Sequence, residues 1–310
     1  MQKFLKILSV NLIILILIMF TAELVLWYRE NKNLQEAGVL TPAMKMIKFH
    51  DGIKTNRYDF NTFAIKNGWG REPEGLEYSD KKPIVVFGCS FAYGYQLDKN
   101  QTFSHKLSAL AHRTVYNRAF TGWSIQHMLY QTKLPVLYKN INEPEYVIYI
   151  FIKDHIRRLF LYSFSSFNIL NEEFDVQYLL KNGKLVEENN DNMLLNQFKR
   201  LYFVNILHHY YVNKYMWDKN DKTYNLAFHQ LLEAKNEMQK RWKNTKFVIL
   251  MYDDNNQDFI KQLRKIGYIV IYLPDLVQKN LADEKYMYNK HSKEAAWDII
   301  VPKVIEKLGI

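Results

Sequence analysis

The sequence predicts an α/β protein: a mostly parallel sheet covered by helices, preceded by one N-terminal transmembrane helix. Three features point to it. Short apolar runs rich in Val, Ile, Tyr and Phe recur along residues 83–310, segments of helical periodicity separate them, and an unbroken apolar run opens the chain. Strands buried on both faces that alternate with helices define a parallel sheet.

The opening run covers residues 7–28 and follows Lys3 and Lys6; its centre, 12–20, contains only Leu, Ile, Met and Phe. As a helix it would extend roughly 33 Å, enough to cross a bilayer core of about 30 Å. Trp27 and Tyr28 fall where an interfacial aromatic belt would lie, and Phe20-Thr21-Ala22 makes a poor signal-cleavage site. Residues 1–30 are therefore expected to be an uncleaved anchor in the lipid bilayer. A short basic N-terminus ahead of one span places that terminus in the cytoplasm and the remaining chain on the extracytoplasmic, periplasmic side.

Residues 31–82 hold the turn signals Thr41-Pro42, Asp51-Gly52, Asn67-Gly68 and Glu72-Pro73 and are expected to form a tether packing on the domain. From Pro83 the pattern is regular. Strands are expected at 84–87, 114–117, 145–152, 246–252 and 268–273, and helices at 102–111, 124–138, 224–242, 257–266 and 292–308. Residues 159–221 interrupt the alternation. They contain a hairpin signal at Lys181-Asn182-Gly183-Lys184 and a helical stretch at 192–217, and are expected to be an insertion bordering the strand ends.

Composition narrows the function. With 48% hydrophobic and 24% charged residues the chain is not disordered. A single cysteine excludes an intrachain disulfide and zinc-finger or iron–sulfur frameworks. The net charge of +10 is spread along the chain, which, with the expected location, argues against nucleic acid as a partner. His208-His209 and the remaining histidines have no metal-ligand spacing. His105, His112 and His127 fall on expected helices as packing or surface residues.

In an open parallel sheet, ligands bind beyond the carboxyl ends of the strands. The polar residues there are Ser90 in Gly88-Cys89-Ser90-Phe91-Ala92-Tyr93-Gly94, the turn Asn117 to Ser124, then Lys153-Asp154-His155, and Asn289-Lys290-His291 before the last helix. A hydroxyl, a base and backbone N–H donors are the parts of serine nucleophile chemistry. A lone serine after a strand is most often only a turn residue, so the joint pattern carries the inference. The α/β-hydrolase elbow does not fit, because Ala92 stands where its second glycine belongs, and no Gly-Lys-Ser/Thr phosphate loop is present.

The run Gly88 to Gly94 resembles the first block of the SGNH/GDSL hydrolases, usually Gly-Asp-Ser-Phe-x-x-Gly. The Asn117…Gly122 turn resembles the second block, Lys153-Asp154 stands at the third, and His291 followed by 292–297 resembles the last. Asn67 to Pro73 is similar to the lead-in of membrane-anchored members. The resemblance implies a flavodoxin-like three-layer α/β/α fold and acyl-ester chemistry without a cofactor or metal. It implies Ser90 as nucleophile, His291 as general base, and the N–H groups of Ser90 and Gly122 as the oxyanion hole. Three positions depart from the pattern. Cys89 replaces the usual Asp. Lys153 stands where the third block has Asn, leaving Lys153 or His155 as substitute donors. Asn289 lies two residues before His291 where an Asp is usual, with Asp283 as an alternative orienting group. The expected activity is that of an ester hydrolase or O-acyl transferase running on a Ser-His dyad, acting on an O-acyl ester of an envelope glycan. The alternative is a non-catalytic SGNH-like binding or scaffold protein of the envelope.

Overall fold

The computed structural model describes residues 78–159, 176–189 and 221–310, except 79, 96, 121–122, 140, 255, 279–280, 282–286 and 289–290. It also describes Asn11, Ile14, Leu17, Ile18, Phe20, Thr21 and Val25. The chain divides into two compact units. One comprises Met1–Arg57, Ser163–Asp175 and Asn190–Lys219. Within it the seven described positions are helical and exposed, and the Thr21 hydroxyl donates to the Leu17 carbonyl at 2.8 Å. Most of the expected span, the tether and the helical stretch 192–217 lie outside the described residues. Among the described residues no helix is long and apolar enough to cross a membrane.

The other unit holds the sheet. Five parallel strands are β1 (Ile84–Phe87), β2 (Val115–Asn117), β3 (Tyr146–Phe151), β6 (Lys246–Met251) and β7 (Tyr268–Tyr272), in the order β2-β1-β3-β6-β7. Register is set by Ile84 opposite both Val115 and Tyr146, Tyr146 opposite Lys246, and Phe247 opposite Tyr268. Each expected strand is found within two residues of its expected ends. Every residue of β1 and β3 is buried, as the uninterrupted apolar runs require.

Alternate residues feed two cores. Ile84, Val86, Ile148, Ile150, Val248 and Leu250 pack on one face with α2 (Phe103–Ala111), α8 (Leu273–Val277) and α9 (Glu294–Leu308). Val85, Phe87, Val147, Tyr149, Phe247 and Ile249 pack on the other with α3 (Ile125–Lys133), α6 (Asp221–Gln239) and α7 (Gln257–Lys265). The result is a three-layer α/β/α sandwich of flavodoxin-like strand order. The expected helix 124–138 is two helices, α3 and α4 (Pro135–Lys139). Pro135 disfavours helical backbone at Leu134, which is extended at φ −84° and ψ 127°.

The hairpin signal in the insertion is realised as β4 (Val176–Lys181) and β5 (Lys184–Asn189), antiparallel and outside the central sheet. Asn182 and Gly183 both have positive φ, 51° and 73°, as a tight two-residue hairpin turn requires. Of the insertion, the hairpin is the described part, and β4 packs on α3 and α6. Lys133, at the far end of α3, pairs with Glu187 at 2.9 Å and lies 4.4 Å over the Tyr178 ring. The Gln230 amide donates to the Tyr178 carbonyl at 3.3 Å. Tyr178 is buried, and Leu180 and Leu185 pack against the same helical layer.

Gly88, where β1 ends, is required by geometry. Its φ is 149°, and a Cβ there would meet the Ala92 Cβ at 2.8 Å and the Ile150 carbonyl at 3.0 Å. Gly88→Ala should therefore cost about 2–4 kcal/mol from backbone strain and overpacking, read as a lowered chemical-denaturation midpoint. A midpoint equal to that of the parent would contradict this packing.

Candidate active site

The chain leaves β1 toward β2 on one side and returns to β3 on the other, so the loops after β1 and β3 diverge at the switch point, the place where ligands bind in such sheets. Ser90 is at this position. It opens α1 (Ser90–Tyr93), a single turn directly after β1, and is 4% exposed. Gly94, left-handed at φ 79°, ends the turn, and its N–H donates to the Ser90 carbonyl at 3.0 Å.

The loop after β2 is tied to this turn. The Asn117 amide donates to the Ala92 carbonyl at 2.8 Å, and its side-chain oxygen accepts the Ala119 N–H at 3.0 Å. The Arg118 N–H donates to the Val86 carbonyl at 2.7 Å, and the Phe120 N–H to the Gly88 carbonyl at 3.3 Å. Rings of Tyr93, Phe120, Trp123 and His127 run in series along the loop, with centroids 5.5, 5.3 and 5.7 Å apart. Gly122 lies outside the described residues.

After β3 the backbone N–H of Lys153 donates to the Asp253 carboxylate at 2.6 Å, which joins the ends of β3 and β6. The Lys153 side chain is exposed. His155, on α5 (Asp154–Arg158), is fully buried; its Nδ1 lies 2.8 Å from the Tyr149 hydroxyl, and its ring packs against Phe151 at 5.7 Å. His155 is thus enclosed in the layer under the rim, held there by the aromatic residues of β3.

His291 lies on β9 (His291–Ser292), which pairs with β8 (Met287–Tyr288), Tyr288 opposite His291. β9 packs against α1, the turn that carries Ser90. Tyr252 helps to hold the two together, with its ring 5.0 Å from Phe91 and its hydroxyl 3.7 Å from the Met287 sulfur. The start of α9 is fixed from the other side. Gln101 donates to Glu294 at 3.0 Å, and Lys106 reaches Glu294 at 2.9 Å and Asp298 at 2.6 Å. Asn289 and Asp283 lie outside the described residues.

Three groups near the site have contacts that the sequence did not give: Asn117 as a tie between loops, His127, expected as a packing or surface residue, and Arg158. His127 Nδ1 accepts the Ser124 N–H at 3.1 Å, which puts the ring proton on Nε2. Burial and then the Arg158 charge push His127 down to about 3, and the same two causes hold His155 well below the usual histidine range. In the unfolded chain both would take up protons near pH 6.5. Between there and about pH 3 the unfolded state binds more protons, so stability should fall as pH falls through this window. His127→Gln should flatten the decline in melting temperature between pH 7 and 4. An identical slope would show that His127 protonates freely in the folded state.

Among the described residues no group of His, Cys, Asp and Glu could hold a metal ion. Serine acyl chemistry needs only the hydroxyl, the base and the N–H donors.

No protein-family model matches the chain, and no curated protein matches its sequence. Solved structures do resemble it in chain path. An acetyl xylan esterase from the rumen bacterium Butyrivibrio proteoclasticus is 9% identical with a TM-score of 0.45, over 75% of this chain and 64% of that one. This chain thus spans less than two thirds of that esterase's length. A carbohydrate esterase family 2 enzyme from Myceliophthora fergusii, with a carbohydrate binding domain, is 11% identical with a TM-score of 0.42, over 75% and 68% of the two chains. A member of the lipolytic G-D-S-L family from Veillonella parvula DSM 2008 is 11% identical with a TM-score of 0.39, over 72% and 96%.

Proposed function

We propose that this chain is a membrane-anchored serine ester hydrolase or O-acyl transferase of the SGNH type. Ser90 is its nucleophile, His291 its general base, and the N–H groups of Ser90 and Gly122 its oxyanion donors. One observation carries the reading: the turn with Ser90 stands at the switch point of a β2-β1-β3-β6-β7 sheet, and the strand with His291 packs against that turn. These elements are separated by about two hundred residues in sequence, and the fold joins them where ligands bind in such sheets.

In this mechanism the His291 imidazole takes the Ser90 proton as the hydroxyl oxygen attacks the ester carbonyl. The tetrahedral oxyanion is held by the two N–H groups. The imidazolium then returns the proton to the departing alcohol, leaving an acyl-serine. Water resolves that intermediate in a hydrolase, and an acceptor hydroxyl in a transferase. His155 has no part, since its ring is enclosed. Lys153 keeps only its exposed ammonium for the rim. The O-acyl substrate is read as an envelope glycan, in keeping with an extracytoplasmic domain. Purified full-length protein in detergent should hydrolyse p-nitrophenyl acetate with saturation kinetics. Turnover no faster than that of heat-denatured protein would favour the binding or scaffold reading, to which Lys153 and Asn289 at donor and orienting positions already lend weight.

The anchor is residues 7–28. Ile14, Leu17, Ile18, Phe20 and Val25 expose their apolar side chains, surfaces that water disfavours and a bilayer would cover. The protein should remain in the membrane pellet after an alkaline carbonate wash. Release into the supernatant would remove the anchor.

A further inference from the structure

Tyr252 directly follows β6, and its backbone is fixed to the neighbouring strand: its N–H donates to the Phe151 carbonyl, at the end of β3, at 2.8 Å. From there the side chain reaches three elements. Its ring meets Phe91, the residue after Ser90, edge to face at 5.0 Å, and Trp297 of α9 at 6.0 Å. Its hydroxyl donates to the Met287 sulfur at 3.7 Å. Met287 lies on β8 opposite Ser292, the neighbour of His291 on β9. One side chain, 3% exposed, thus touches the turn that carries Ser90, the strand pair that carries His291 and the helix that follows that pair.

We propose that Tyr252 is a positioning residue that braces β8 and β9 against α1 and so sets the approach of His291 to Ser90. The inference rests on the reading of Ser90 and His291 given above. The brace is needed because β8 and β9 have two residues each, and an isolated two-stranded hairpin is at best marginally stable in water. Their position must come from packing on the rest of the domain, and Met287 packs on the same buried cluster as Phe91, Tyr252 and Trp297. A thioether is a weak acceptor, so the ring supplies most of the hold and the hydroxyl its direction. A base displaced by about 1 Å can lower the rate about 10²-fold. The loss falls on kcat rather than KM, because the proton moves only in the transition state.

In full-length Tyr252→Leu, kcat on p-nitrophenyl acetate should fall about 10- to 100-fold with KM within about twofold, while Tyr252→Phe, which keeps the ring, should stay within about fivefold of the parent. A double variant separates positioning from a general structural role. In the His291→Ala background, Tyr252→Leu should change kcat by less than about twofold, because its effect passes through a base that is no longer there. Hydrogen exchange gives a readout without turnover: amides of 287–292 should exchange at least about tenfold faster in Tyr252→Leu, with those of β1 unchanged. If Tyr252→Leu does not fold, Met287→Ala, which removes the contact from the strand side, takes its place in each measurement. Parental kcat in the single variant, losses that multiply in the double variant, or unchanged exchange at 287–292 overturns the proposal. If the parent protein has no esterase turnover, the serine-hydrolase reading fails separately. Exchange at 287–292 then decides the brace alone, faster supporting it and unchanged overturning it.

Discussion

Ser90→Ala is expected to abolish esterase turnover, a loss on the order of 10⁴–10⁶-fold that leaves only the background from substrate binding and N–H donors. The size follows from covalent catalysis: without the hydroxyl no acyl-enzyme forms, and the remaining groups cannot replace it. The fold should survive. Ser90 is 4% exposed, and the substitution keeps its backbone carbonyl, which accepts from Gly94 and Tyr95 at 3.0 Å each, and the Tyr93 N–H bond to the Cys89 carbonyl at 2.9 Å. Removal of one oxygen should leave the melting temperature within a few degrees, about 1 kcal/mol or less. The check is kcat/KM for p-nitrophenyl acetate beside a thermal melt. Retained turnover in a folded variant would place the nucleophile elsewhere.

His291→Ala is the second large effect expected, about 10²–10⁴-fold in kcat, the usual contribution of a positioned general base. In the parent, kcat/KM should fall on the acid side of its pH profile, where a protonated imidazole no longer accepts the Ser90 proton. The variant should lose that inflection, which a purely structural histidine would not control. Asn289→Asp should raise activity, because a carboxylate stabilises the imidazolium better than a neutral amide does. A His291→Ala enzyme with the parental rate and pH profile would remove the dyad.

The sheet was legible because its strands are buried on both faces, so Ile84 to Phe87 and Tyr146 to Phe151 read as continuous apolar runs between helical segments. The hairpin was legible at Asn182-Gly183, where the chain needs two left-handed residues. Its placement was not, since the partners that fix it, Lys133 and Gln230, are remote in sequence and carry no local signal. In the candidate site, Ser90 stood out as the hydroxyl that follows the first buried strand. Arg158 did not. Its pairing with Asp154 is an i,i+4 relation visible in the sequence, but its bond to the Trp123 carbonyl exists only once the loops after β2 and β3 converge. The burial of His155 followed from Tyr149 and Phe151, inward-facing members of a strand whose facing pattern requires the register to be known.

The central claim, that Ser90 is an activated nucleophile, is tested most directly by treating the full-length protein in detergent with a fluorophosphonate and mapping the adduct by peptide mass spectrometry. The account predicts one phosphonyl group per chain, on the hydroxyl of Ser90, with heat-denatured protein unlabelled. An unmodified native protein, or an adduct on any other residue, would contradict it.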